Sequence, residues 1–236
     1  MSVPRRAPVE NSVLAALPPK LYQRLLVGLE AVTLTFGEVL YEPGEPIRHV
    51  YFPSNSLVSL LTLVEDRLAL EVGMVGHEGM VGISLALGIS ISSVRALVQG
   101  SGTALRMTSP RFRREFRHSL VFRQELFRYT HLLMAQISQT AGCNRFHGVE
   151  ERLARWLLMT RDRLGSNQFR LTQDFLAQML GVRRVGVTNA AGALQRRELI
   201  SYSRGNISIL DDSGLEAASC QCYEIARDTH DRVRAH

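Results

Sequence analysis

Lysine is nearly missing from this chain: Lys20 stands alone, and the other 27 of its 28 basic residues are arginines. Cysteine is scarce as well. Cys143, Cys220 and Cys222 cannot frame a disulfide-stabilised secreted domain, and they fall one short of the four thiolates of an ordinary iron–sulfur cluster. Cys143 is therefore read as a buried, inert thiol, and the pair Cys220 and Cys222 as too few to make a metal site alone. Long apolar runs are also missing. The uncharged stretch from Gly79 to Val94 is broken by Gly79, Gly82, Gly88 and four serines. It is shorter than the ~20 residues a membrane-spanning helix needs, so no membrane partner is expected. Met1–Pro8 carries Arg5 and Arg6 with no apolar segment behind them, which argues against a secretory leader and for the cytoplasm. No His-x-His pair occurs, and the histidine spacing singles out no axial haem ligand. An enzyme built around a barrel-held metal is accordingly not expected; no catalytic residue, metal ligand or definite cofactor is assigned.

What is present is an ordinary globular composition of 236 residues, 45% hydrophobic and 21% charged, with a net charge of +6. The basic excess is concentrated. Between Gly148 and Leu210, ten arginines face five Asp or Glu, a surplus of five, which points to a polyanionic partner for this segment. Arginine's planar fork suits phosphate and the guanine edge.

Along the chain the texture changes three times. Asn11 and Ser12 can cap a short helix carrying Val13, Leu14 and Leu17, and Pro18–Pro19 starts a second with Leu21, Leu25 and Leu29 at helical spacing. From Val32 to Thr108, short β-branched and aliphatic runs are punctuated by glycine and proline, as in an antiparallel barrel or sandwich; His49–Phe52 is one such strand. Ser109–Pro110 opens a short basic helix, capped by Ser109. A longer helix over Leu120–Gly142 repeats Phe122, Leu126, Tyr129, Leu133, Ile137 and Thr140 at steps of three or four. That near-heptad stripe predicts a two-fold helix pair, with Leu126, Tyr129, Leu133 and Ile137 as the dimerisation residues. Val149–Met159 follows as a helix, then a turn at Gly165–Asn167.

Residues 171–197 carry the most specific pattern. Thr172 can cap a first helix, Ala177 is small where a second helix crosses, and Gly181 takes the turn. Val182, Val187, Ala190 and Leu194 line the inner face of the second helix, and Arg183, Arg184, Thr188, Asn189, Arg196 and Arg197 its outer face. Glu198–Tyr202 and Ile207–Leu210 alternate as two strands about Arg204-Gly205-Asn206, a hairpin wing. A helix of this kind lies in the major groove of double-stranded DNA. Arg184 is placed for a bidentate guanine contact and Asn189 for adenine or a phosphate. Thr172, Gln173, Thr188, Arg196, Arg204 and Asn206 are expected mainly to grip the backbone.

In this order and size, a barrel, a long helix and a winged helix-turn-helix resemble the Crp/Fnr family of bacterial regulators, from about Leu21 to Leu215. The resemblance implies an α+β chain in three parts. Residues 1–118 would form a jelly-roll β-barrel of the cyclic-nucleotide-binding kind, 119–146 the dimerisation helix and hinge, and 147–236 the winged helix-turn-helix with a C-terminal extension. It also implies a cytoplasmic homodimer on a palindromic operator, RNA polymerase as a further partner, and a small-molecule effector in the barrel.

The effector region departs from that family. Its cyclic-nucleotide binders hold the ribose with the carboxylate of a Gly-Glu-Leu-Gly-like turn and the phosphate with a later Arg-Ser pair. Here the turn reads Gly79-Met80-Val81-Gly82, and a thioether cannot replace an anionic acceptor. Val94 stands at the arginine position. Arg95, one residue on, points to the opposite face of a regular strand, although a bulge would return it. Cyclic AMP is therefore not the expected effector. A cyclic-nucleotide response and a redox response through Cys143 are the alternatives. The recognition helix departs too: Arg183 replaces a small hydroxyl cap, and Val185 and Gly186 replace the usual Glu and Thr.

Overall fold

The computed structural model of the chain describes residues 11–65 and 68–234; Met1–Pro8, read above for a leader, lies outside them. Asn11 accepts a hydrogen bond from the Leu14 N–H and caps α1 (Ser12–Ala15). Pro19 opens α2 (Pro19–Leu26) at the first helical position, where its missing N–H leaves no bond unmade. Seven strands follow: β1 (Glu30–Leu34), β2 (Val39–Tyr41), β3 (His49–Pro53), β4 (Leu57–Glu65), β5 (Leu68–Val75), β6 (Arg95–Gly100) and β7 (Gly102–Thr108). They pair antiparallel in two sheets, β1-β7-β3 and β2-β6-β4-β5, the two layers of the expected jelly-roll domain. Leu34, Val50, Phe52 and Met107 of the first sheet share one core with Val58, Leu60, Ala96 and Val98 of the second.

Strand β4 is buried on both faces over Leu57–Leu61, which explains the apolar run there; Leu63 and Val64 beyond it are exposed. Val58 and Leu60 point into the sandwich, whereas Leu57 and Leu61 point outward into a second core. That second core belongs jointly to the sheet and to the C-terminal part of the chain.

Helix α3 (Ser109–His118) begins one residue earlier than expected, with Thr108 as its N-cap. Helix α4 (Leu120–Phe146) is capped by Ser119, whose Oγ accepts from the Phe122 N–H at 3.2 Å. Its 27 residues span about 40 Å, one turn more than the sequence pattern indicates. The apolar stripe of α4 requires a correction. Phe122, Leu126, Tyr129 and Leu133 are buried in the sandwich core of their own chain, and Ile137 packs against it. The residues expected at a dimer seam are thus already covered, because a helix lying along a sheet needs the same three-and-four spacing as one lying along a twin.

Beyond it come α5 (Val149–Leu164), β8 (Gln168–Arg170), α6 (Gln173–Leu180), α7 (Arg184–Arg196), β9 (Ile200–Ser203), β10 (Asn206–Ile209), α8 (Asp212–Ala218) and α9 (Cys222–Arg234). The wing has a third strand, in the order β8-β10-β9. This C-terminal unit sits on the outer face of β4 and β5. Trp156, Leu157 and Leu153 of α5 meet Leu57, Leu61, Ala69 and Met74, and the rings of Phe36 and Phe175 lie 5.3 Å apart. Polar groups cross the same junction. Trp156 Nε1 donates to Glu71 at 2.9 Å and Gln99 Nε2 to Thr160 Oγ1 at 3.1 Å, while within the sheet Ser59 Oγ donates to the other Glu71 oxygen at 2.6 Å. Burial pushes the Glu71 carboxyl up to about 7, against the pull of those hydrogen bonds. Among the described residues, no helix is long and apolar enough to cross a membrane.

Candidate nucleic-acid interface

Thr172 caps α6, its Oγ1 accepting from the Phe175 N–H at 3.1 Å; the hydroxyl hydrogen stays available to an outside acceptor. Gly181 ends the helix at φ +61, the left-handed conformation glycine adopts without strain. It is also the point where the turn meets the sheet: a Cβ there would lie 2.6 Å from Leu70 Cδ1 of β5. Leu176, Ala177 and Leu180 of α6 and Val187, Ala190 and Leu194 of α7 are buried between the two helices and α5.

The outer face of α7 is open. Arg183, Arg184, Val185, Thr188, Asn189 and Arg196 are exposed or half-buried at most. Arg183 is the N-cap but makes no side-chain capping bond; of the first turn, the Gly186 N–H donates to the Arg183 carbonyl at 2.8 Å. Thr188 Oγ1 donates to Gln173 Oε1 at 2.8 Å, which holds Gln173 against the recognition helix. Arg184 lies 3.4 Å from the same oxygen and 3.7 Å from Asp174, with its side chain 65% exposed. An exposed pair at that distance holds the guanidinium only weakly, leaving it able to reorient.

Arg204 and Gly205 form the two-residue wing turn, with φ of 51 and 79. Two positive φ values are what a type I′ hairpin needs. Asn206 is exposed beside them and pairs across the sheet with Arg170 of β8, also exposed. The sequence pattern does not single out Arg170, because a three-residue strand leaves little alternation; Gln168-Phe169-Arg170, with only Phe169 buried, is the signal it left.

The basic excess of this segment is distributed unevenly. Arg152 and Arg155 are buried, Arg161 joins Asp162, Asp212 and Glu216, and Arg163 pairs with Glu78. Arg197 pairs with Glu150 at 3.0 Å. The cations left exposed are Arg170 of β8, Arg183, Arg184 and Arg196 of α7 and its cap, and Arg204 of the wing turn.

Of the six residues expected to line an effector pocket, Gly79, Met80 and Val81 are buried. Met80 and Val81 are buried in the sandwich core, and Gly82 at φ +94 turns the chain beneath Tyr41. Gly79 lies so close against Tyr129 of α4 that a Cβ there would overlap the ring. The tyrosine fills the space in front of the turn. Val94 is half-buried, and Arg95 pairs with Glu42 of the neighbouring loop at 2.9 Å. A cavity of about 360 Å³ lies between α4, α5 and α9, lined by His77, Glu78, Tyr129, Met159, Arg163 and Tyr223 among others, and another of about 310 Å³ lies in the sandwich domain beside Tyr41, Arg48 and Tyr51. Burial alone would raise the Glu78 carboxyl, but the Arg163 guanidinium 2.8 Å away holds it below its ordinary range. His77 and Glu78 have no role in the sequence pattern; the Glu78 partner Arg163 comes from α5, 85 positions on, which no local spacing reveals.

The three cysteines also require a correction. Cys220 and Cys222 do not stand alone: α9 folds back on α4 and brings them to Cys143 and His147.

Residues 151–218 match the Crp-like helix-turn-helix domain. No curated protein matches the sequence closely enough to count as a relative. Among solved structures, the chain is similar to FixK2 of Bradyrhizobium japonicum (14% identity, 81% of this chain and 98% of that one, TM-score 0.69). It is similar also to the c-di-GMP-responsive global regulator CLP of Xanthomonas campestris (16%, 82% and 100%, TM-score 0.67). A transcriptional regulator of the CRP/FNR family from Thermus thermophilus shares 21% identity over 84% and 98% of the chains, with a TM-score of 0.61. At such identities the likeness is one of fold. Residues 151–218 thus form a Crp-like helix-turn-helix domain, carried on a fold similar to that of these regulators.

Proposed function

We propose that the chain acts in the cytoplasm as a homodimeric, sequence-specific regulator that places one α7 in each of two successive major grooves of a palindromic operator. The observation that carries this reading is the outer face of α7, where a helix N-terminus without a side-chain cap, Arg183, Arg184, Thr188 and Asn189 are exposed above a packed inner face. Arg184 is assigned the guanine contact and Asn189 an adenine or phosphate. Thr172, Gln173, Thr188, Arg183, Arg196 and the wing residues Arg170, Arg204 and Asn206 are assigned to the backbone. Asp or Glu is missing from α7, so the helix offers no carboxylate to a cytosine amino group.

The dimer seam moves to the other side of α4. Leu120, Phe127 and Met134 are 60%, 50% and 63% exposed at seven-residue steps, and exposed Ala141 continues the series. Gln124, His131 and Ser138, all exposed, alternate with them and complete a heptad stripe suited to a two-stranded pairing. The effector is a small molecule of unidentified structure. It is assigned to the cavity under α9, which reaches the DNA-binding unit through α5, and not to the filled turn at 79–82. RNA polymerase is the remaining partner of such a regulator.

A gel shift with the DNA upstream of the protein's own coding sequence, followed by footprinting, tests the proposal. It expects two protected half-sites about one helical turn apart, roughly 34 Å. Binding without any preference over random duplex, or protection of a single half-site by a monomer, would contradict it.

A further inference from the structure

Helix α4 ends with Cys143 and the capping residue His147 one turn apart, so both side chains leave the same face. Cys220, in the link between α8 and α9, and Cys222, the first residue of α9, arrive from the other end of the chain. The four ligand atoms lie within 4.8 Å of one another. Cys143 Sγ and Cys220 Sγ are 3.5 Å apart, and Cys222 Sγ is 3.4 Å from His147 Nδ1. An ion with zinc's bond lengths at the centre of a tetrahedron sets sulfur–sulfur edges of roughly 3.8 Å and sulfur–nitrogen edges of roughly 3.6 Å. Two edges are therefore already near the required length, and a movement of about an ångström closes the widest. The ligand atoms are too close together for a multi-iron cluster, whose thiolates bind separate irons.

The surroundings carry a second, independent indication. Arg152 and Arg155 are buried beside this cluster, and among the described residues neither has a carboxylate partner. Both Nε atoms lack a hydrogen-bond acceptor; Arg152 donates to the Leu180 carbonyl, and Arg155 reaches only Thr140 Oγ1 and Met159 Sδ. Next to neutral thiols these two buried guanidiniums would be poorly compensated, Arg155 having the Glu71 carboxyl beyond ion-pair distance. Gln139 Nε2 donates to Cys222 Sγ at 3.0 Å, a contact that orients the sulfur.

We propose that Cys143, His147, Cys220 and Cys222 bind one zinc ion, a site unrelated to the DNA-binding face. On binding, the three thiols release their protons to solvent, and the ion is held by three thiolates and the neutral imidazole Nδ1. The complex carries a net charge of −1, which the two arginines offset. A single His147–Gly148 link separates α4 from α5, so the ion staples the C-terminal extension at the joint between the sensor domain and the DNA-binding unit.

The test uses the full-length protein, reduced with a phosphine under argon. Elemental analysis should find about one zinc per chain, and after its removal cobalt(II) should restore a site with near-ultraviolet thiolate charge-transfer bands and intense tetrahedral visible bands. Cys222→Ser and His147→Ala should lose most of the bound metal while keeping the circular dichroism spectrum. His147→Cys should retain it and strengthen the charge-transfer bands. The proposal is overturned if reduced protein with excess cobalt shows no charge-transfer band, or if the double variant Cys143→Ser, Cys222→Ser binds as much metal as the parent. A Cys143–Cys220 disulfide that persists against the phosphine would overturn it as well.

Discussion

Replacing Glu71 by glutamine should abolish a large part of the pH dependence of stability. Glu71 lies buried at the junction of β5 and α5, accepting from Ser59 and from the Trp156 indole. Its carboxyl titrates near 7 in the folded chain against 4.5 for an unperturbed group. Between those values the unfolded chain has lost the proton and the folded chain still holds it. Stability contributed by the protonated form is therefore complete below about pH 4.5, falls as pH rises, and levels off above about pH 7. At about 1.4 kcal/mol per unit, the loss over that window is roughly 3 kcal/mol. A glutamine here would keep a carbonyl acceptor for Trp156 and carries no proton to lose. Urea denaturation of the parent and Glu71→Gln at several pH values from about 5 to 8 reads the difference directly. The variant should gain on the parent with every step up in pH, and the gain should stop near neutrality. A difference between the two that stays constant across the range would refute the reasoning, because it would mean that Glu71 has the same proton affinity in both states.

Gly186→Ala should stabilise the chain by up to about 1 kcal/mol in thermal melts, since the added methyl meets only Val182, at an ordinary 3.8 Å. Met134→Glu should shift gel filtration toward a monomer without lowering the melting temperature of the chain. Leu133→Ala, one residue away but buried, should instead cost about 2–5 kcal/mol of stability. Arg204→Gly should relieve the positive φ of the wing turn and reduce by about one the slope of log affinity against log salt, as measured by anisotropy.

The helix-turn-helix is legible in the sequence because its determinants are local. Thr172 as cap, Gly181 as turn and the inward Val187, Ala190 and Leu194 lie within about two dozen residues, and each does what its chemistry dictates. The glycine-punctuated strands are legible for the same reason. What escapes a sequence reading is set by long-range placement. The stripe Leu126–Leu133 has the right period for a helix pair, but period alone does not distinguish a sheet from a twin as the covering surface. Phe127 and Met134, one residue on, mark the uncovered face. Met80 is legible as a thioether where a carboxylate would be needed, whereas the packing of Tyr129 against Gly79 is not. The cysteine–histidine cluster joins segments 77 and 75 positions apart, so the sequence shows it only as the unconnected spacings Cys143/His147 and Cys220/Cys222.

The central claim, that α7 reads base edges while the flanking arginines hold phosphates, is tested most directly by fluorescence anisotropy of the parent, Arg184→Ala and Arg196→Ala on operator and on random duplex over a range of salt. Arg184→Ala should lose discrimination at one base position, a cost of about 1–3 kcal/mol, with its affinity for random DNA much less affected. Arg196→Ala should weaken both duplexes alike and flatten the salt dependence. Unchanged operator preference in Arg184→Ala would contradict the account.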